Sequence, residues 1–132
     1  SVDMIISQAV LEHVNDLDGS YIAMHKWLKP GGFMSHEIDF KCHRISANWD
    51  YHWTYPDYIW KLIVGKRKYF LNRHPYSVHI NSLKNSGFKI ICDIKNNTES
   101  SIKRKNLAKR FIEMSDDDLI TSEVFILAIH QN

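Results

Sequence analysis

The stretch that most constrains what this chain can fold into is Ser1 to Phe40, which reads as strand, helix, stop and strand. Met4-Ile5-Ile6 is an apolar run too short for a core helix and suited to a strand buried on both faces. Ser7-Gln8 ends it with polar groups. Asn15, Asp16 and Asp18 then supply helix-start chemistry, since their short side-chain oxygens accept from first-turn amides that have no other partner. Tyr21, Met24 and Leu28 follow at helical spacing with Trp27 beside them, giving one apolar face. Lys29-Pro30-Gly31-Gly32 stops the helix, because proline cannot continue it and glycine accepts the left-handed turn. Phe33 to Phe40 returns as a strand. A unit of this length is a right-handed parallel crossover, which makes the chain α/β.

The remaining sequence narrows the class further. At 132 residues the chain is one domain, with 44% apolar and 24% charged residues, ordinary for a globular protein. A formal charge of +2 selects no partner. No apolar run reaches the about eighteen residues of a membrane span, and no secretory-type leader opens the chain, so a cytoplasmic location is expected. Cys42 and Cys92 are far apart and unpatterned, as expected of thiols in a reducing compartment.

Residues 41–75 leave regular alternation and are dense in aromatic groups, including Trp49, Tyr51, Trp53, Tyr55, Tyr58, Trp60, Tyr69 and Phe70. Thr54 and Pro56 open a short helix there, with proline at its first position, and Gly65 closes it before a small basic patch, Lys66-Arg67-Lys68. From residue 76 the order is helix, strand, helix, strand. Ser77 is expected to cap a helix with Val78, Ile80 and Leu83 inward and Gly87 as its stop. Phe88 to Ile94 reads as a strand and Asn96 to Ser101 as a loop. Ile102 to Met114 has helical period through Leu107, Phe111 and Met114, with a basic outer face read as solvated rather than nucleic-acid binding. Asp116 to Asp118 forms a turn or cap, and Ser122 to Ile129 is the last strand.

In open α/β sheets ligands sit at the carboxyl ends of parallel strands. That rule selects Ser7, Gln8 and Ala9 after the first strand, and Asp39 to His43 after the second. Alternation sends His36 and Ile38 to one face and Glu37 and Asp39 to the other, so Asp39 and His43 are the better placed to reach a cleft. The eight histidines carry no zinc-type spacing, and Ser7 lacks the surroundings of a hydrolase nucleophile, so neither a metal site nor a hydrolase is expected.

The run D-x-I-I-S-x-A-V-L-E-H-V, followed about fifteen residues on by L-K-P-G-G-F, resembles the fourth strand, following helix and fifth strand of class I S-adenosylmethionine-dependent methyltransferases (the type 11-like group). The resemblance implies a Rossmann-like sheet comprising strands four to seven, the last antiparallel, with residues 41–75 as a substrate-side insert. It also implies S-adenosylmethionine as cofactor and methyl transfer as activity. Ser7, Gln8, Ala9 and Glu12 would then lie beside the cofactor, and His13, Asp39 and His43 would be catalytic, with His13 as proton acceptor because imidazole titrates near neutrality. The insert is similar to those of sugar-associated members, which points to His52, Trp53, Trp60, Asn72 and Arg73 as substrate-binding and to a small polar acceptor such as a saccharide.

None of the five glycines forms a G-x-G turn after a strand, so the motif that holds the nucleotide is expected in another segment. Two readings stand: a methyltransferase fragment inactive when isolated, with weak or no cofactor binding, or a non-catalytic, partner-dependent module. In either, the first strand is an open apolar edge expected to pair with the missing half or in a homodimer.

Overall fold

The computed structural model describes Ser1–Asn132. Four strands, β1 Val2–Gln8, β2 Leu28–Asp39, β3 Phe88–Asn97 and β4 Thr121–His130, form one sheet in the order β1-β2-β4-β3. β1 and β2 are parallel, joined through α1 Leu17–Trp27, as the strand–helix–strand reading requires. β4 lies between β2 and β3 and runs antiparallel to both, the direction expected of the last strand.

The local signals act as anticipated over α1. Asp16 caps it by accepting from the Gly19 amide at 2.9 Å, and Tyr21 is wholly buried. Trp27, assigned to the apolar face, is 59% exposed. The helix also ends earlier than Lys29-Pro30-Gly31-Gly32. Leu28 already pairs with Val2, and the next pair is Met4 with Phe33, so the Pro-Gly-Gly segment is a bulge in β2 rather than a helix stop. Burial of the Leu28 side chain in the core fixes this, and Gly31 takes the left-handed conformation (φ 77°) inside the bulge.

α3 Tyr76–Asn85 packs with α1 on one face of the sheet. Its inward residues are His79, Ser82 and Leu83, while Val78 is exposed. Pro75, not Ser77, precedes the helix, and Ser77 instead binds the Asp118 carboxylate through its amide and hydroxyl at 2.9 and 2.5 Å. Gly87 follows at φ 89°. Met34, His36 and Ile38 of β2, with Val124, Ile126 and Ala128 of β4, form the sheet side of the core.

Two expectations fail beyond residue 95. β3 runs on to Asn97 because its register with β4 continues to Thr121, which removes part of the expected loop. The segment 102–114 is not one helix but two short 3-10 turns, Arg104–Asn106 and Lys109–Phe111. The Ala108 amide donates to the Trp53 carbonyl of the insert at 2.9 Å, while Arg104 folds back within the segment onto the carbonyls of Ile112 and Met114, and these bonds replace those of a continuous helix. The short α4 Asp116–Ile120 is capped by Ser115.

Burial of β1 on both faces is also not observed. Met4 and Ile6 are 41% and 65% exposed, because no element covers the face of the sheet from which they project. Register extends the same open surface across the strands. Met4 pairs with Phe33, and Phe125 pairs with Ile94; Phe33, Phe125 and Ile94 are all exposed. One face of the sheet is therefore covered by helices and the other is bare and largely apolar, an uncommon state for parallel strands.

Candidate functional site

The carboxyl ends of β1 and β2 are adjacent, since Gln8 pairs with Glu37. Ala9 turns the chain out of β1 with a left-handed backbone (φ 52°), its amide held by the Glu37 carbonyl at 3.0 Å. A 3-10 turn, Leu11–His13, follows. Leu11 anchors it in the core, and Asn72 clasps it from outside: its backbone amide donates to the Glu12 carbonyl at 2.8 Å, and its side-chain amide donates to the carbonyls of Leu11 (2.8 Å) and Val14 (2.9 Å). Glu12 and His13 are thereby fixed beside the end of β2.

Glu12 is 5% exposed, and its Oε2 has no hydrogen-bond partner. Burial, with the Asp39 charge nearby adding to it, pushes its carboxyl up to about 7. Asp39 accepts from the Lys41 amide at 2.9 Å and pairs with His43 Nε2 at 2.7 Å. His43 reaches back onto Asp39 because its own backbone is left-handed (φ 45°). Glu12 and Asp39 flank a recess of about 10 Å³ shared with His52, Asn72 and Arg73.

Beside it opens a cleft of about 920 Å³. His13, His43, Arg44 and Arg67 supply its polar side chains, while Ile45, Tyr55, Ile63, Phe70 and Leu71 supply most of its wall. Ile63 belongs to α2 Asp57–Val64, which starts one residue later than expected, after Pro56, and ends at Gly65 (φ 57°) as anticipated. His13, Asp39 and His43, the residues assigned to chemistry, are thus brought together with Glu12 at one end of the parallel pair. Tyr55 and Phe70 belong to the aromatic-dense insert read as substrate-side, whereas nothing in the sequence marked Arg44 or Arg67 for the cleft, Arg67 being noted only as part of a small basic patch.

The insert residues assigned to substrate are used differently. Trp53 is wholly buried and its Nε1 donates to the Arg73 carbonyl at 3.0 Å. His52 stacks on Trp53 and is held neutral by burial, its pKa lowered to about 3. Arg73 donates to the Tyr55 carbonyl and to Asp57 Oδ1, both at 2.8 Å, and its guanidinium lies 4.5 Å over Trp60. Asn72 has both amide hydrogens engaged by the 11–14 turn. Most polar groups of these five side chains are spent on assembling the insert, with His52 Nδ1 and Arg73 Nε left unpartnered, because a chain with little regular structure from 41 to 75 must satisfy its backbone with side chains. Ser7 is likewise turned inward, its hydroxyl 2.7 Å from His36 Nδ1, whereas Gln8 and Ala9 are exposed.

No three His, Cys, Asp or Glu side chains converge as a metal site would need. For S-adenosylmethionine the fit is partial. The unpartnered Glu12 oxygen, the exposed Gln8 and the open end of β1 are chemically suited to the sulfonium end, but no glycine turn beside β1 is present to hold a nucleotide.

Residues 1–35 match the family model described as "Methyltransferase domain". Solved structures extend the likeness to the whole chain. An S-adenosylmethionine-dependent methyltransferase from Methanosarcina mazei superposes with a TM-score of 0.62 at 14% identity, over 98% of this chain and 59% of its own. One from Mesorhizobium loti gives 0.58 at 16% identity, over 98% and 62%. The cyclase SpnF gives 0.55 at 16% identity, over 98% of this chain and 49% of its own. No curated protein is significantly similar in sequence. The chain therefore spans about half to two thirds of the length of these structures, and at such identities the likeness concerns fold, which SpnF, a cyclase, shows does not fix the reaction. Over residues 1–35 the chain carries the sequence pattern of a methyltransferase domain, and over nearly its whole length it shares the fold of part of solved S-adenosylmethionine-dependent methyltransferases.

Proposed function

We propose that this chain is the acceptor-side, C-terminal half of a methyltransferase domain, and that Glu12, His13, Asp39 and His43 serve methyl transfer to a small polar molecule held in the adjoining cleft. One observation carries the reading: the parallel β1–α1–β2 unit ends in a cluster of titratable groups that opens on a cleft of about 920 Å³, a volume suited to a small substrate. S-adenosylmethionine, when bound, supplies an electrophilic methyl group. The chain's own part is to orient the acceptor and remove its proton. His13 sits on the cleft wall, and Glu12, its neighbour in the same 3-10 turn, has its pKa raised to about 7, so the turn carries two groups able to accept a proton. Asp39 keeps His43 turned toward the same mouth. Gln8 and Ala9, exposed at the end of β1, are the chain's cofactor-side surface.

The test is transfer of a labelled methyl group to small molecules by the domain completed with a segment bearing the Gly-rich turn. His13→Ala should lower kcat by about 10²-fold or more, and Glu12→Gln should remove the basic dependence near pH 7. Wild-type transfer with both variants unaffected would overturn these roles. The isolated chain should bind S-adenosylhomocysteine weakly or not at all by calorimetry.

A second reading is favoured by the bare apolar sheet face, in which the chain is a non-catalytic module completed by a partner or by a second copy. A G-x-G strand–turn encoded upstream supports the first reading; a reading frame opening at this strand supports the second.

A further inference from the structure

The cleft differs in chemistry from the rest of the surface. The chain has five arginines. Arg73 and Arg110 pair with Asp57, and Arg104 pairs with Asp116. Arg44 and Arg67 pair with no carboxylate, and both line the cleft. None of the ten residues around it is acidic, and the two nearby carboxylates lie in the separate recess, where Asp39 is engaged by His43. Arg67 is also held in place. Its guanidinium donates to the carbonyls of Ile63 and Val64 at the end of α2 and lies 4.2 Å over the Phe70 ring. That leaves guanidinium N–H groups presented beside an aromatic face. Arg44, in the turn His43–Ile45, has no hydrogen-bond partner at all and is exposed.

A saccharide is held by neutral donors and acceptors in comparable number, whereas this cleft carries two guanidinium groups free of any carboxylate beside the imidazoles of His13 and His43, with Tyr55 as the one hydroxyl. Guanidinium groups of this kind recognise planar oxyanions, and the isoleucine, phenylalanine and leucine walls accept an apolar body.

We infer that the cleft binds a molecule with a ring-sized apolar body and a single oxyanion, carboxylate or phosphate, anchored by Arg44 and Arg67. Only the naming of this molecule as the methyl acceptor rests on the function proposed above; the binding does not. The experiment is an NMR titration of the full chain with benzoate, phenyl phosphate and benzamide, which share a ring and differ in the polar group. Benzoate or phenyl phosphate, whichever is the better match, should bind at least about tenfold tighter than benzamide, with shifts confined to the cleft residues. The preference should fall as salt rises from about 0.05 to about 0.5 M. It should fall to within about threefold in Arg44→Gln combined with Arg67→Gln, and to an intermediate value in Arg44→Gln alone, whose exposed, unpartnered side chain does not support the fold. Lys105→Gln, in the turn after Lys103, should leave it unchanged. Equal binding of benzamide, retention of the preference in the variants, or no binding by any of the three would overturn the inference. Failure of methyl transfer would leave it standing, and its own failure would leave the methyl-transfer reading standing.

Discussion

Arg73 decides whether the insert is held together by its own side chains or offers them to a ligand. Its guanidinium is buried, and burial lowers its pKa to about 10, still high enough to keep it charged at neutral pH. It donates to the Tyr55 carbonyl at 2.8 Å, weakly to the His52 carbonyl at 3.4 Å, and to Asp57 at 2.8 Å. Arg73→Met preserves the unbranched stem and the backbone strain at φ 62° while removing every donor. The carbonyl bonds to a charged group contribute about 1.5–3 kcal/mol in all, and the orphaned acceptors add to the loss. The Asp57 pair adds little, since that carboxylate is 58% exposed. A total of about 3 kcal/mol, divided by an unfolding entropy of about 2.1 cal/mol/K per residue, corresponds to a Tm drop of about 11 °C in a chain of 132 residues. Thermal unfolding followed by circular dichroism measures this. A Tm within about 2 °C of the parent, accompanied by lost ligand affinity, would refute the structural role and return Arg73 to the substrate.

Stability should fall on acidification below about pH 6.5. His36, His52 and His79 are buried, and burial depresses their pKa values to about 4, 3 and 3, so the unfolded chain takes up protons that the folded chain refuses. Glu12 acts in the opposite sense, its raised pKa stabilising the fold at low pH and losing that contribution as pH rises toward 7. Three groups against one give a net uptake of about two protons on unfolding near pH 5 to 6, a slope of roughly 3 kcal/mol per pH unit at most, read from urea midpoints; a flat profile there would contradict the burial. Gly87→Ala should cost about 2 kcal/mol or more by thermal unfolding, because φ is 89° and an added Cβ would lie 2.7 Å from His25 Nε2; an unchanged Tm would show that this turn relaxes freely. Finally, the apolar edge and face should make the isolated chain associate as a dimer or higher species in sedimentation, and Ile6→Lys should shift it toward monomer without lowering Tm; a monomeric parent at high concentration would sink the expectation.

What could be read from residues alone was whatever the chain settles locally. Asp16, the Tyr21 period and the returning strand specify the β1–α1–β2 unit because each acts within a few residues of itself, and a parallel crossover has only one common hand. His13 came from the family resemblance, whereas the unit's carboxyl end, and with it Asp39 and His43, followed from that topology. The distribution of the insert's polar groups did not. Leu107, Phe111 and Met114 keep a helical period, yet the Ala108 amide between them is bonded to Trp53, more than fifty residues away, and the Met114 carbonyl to the Arg104 side chain. Asn72 and Arg73 look in sequence like ligand-binding groups, and only the folded chain shows that most of their donors go to its own carbonyls and to Asp57. A side chain's type is encoded where it stands, but whether its hydrogen bonds remain free depends on which distant segments close around it.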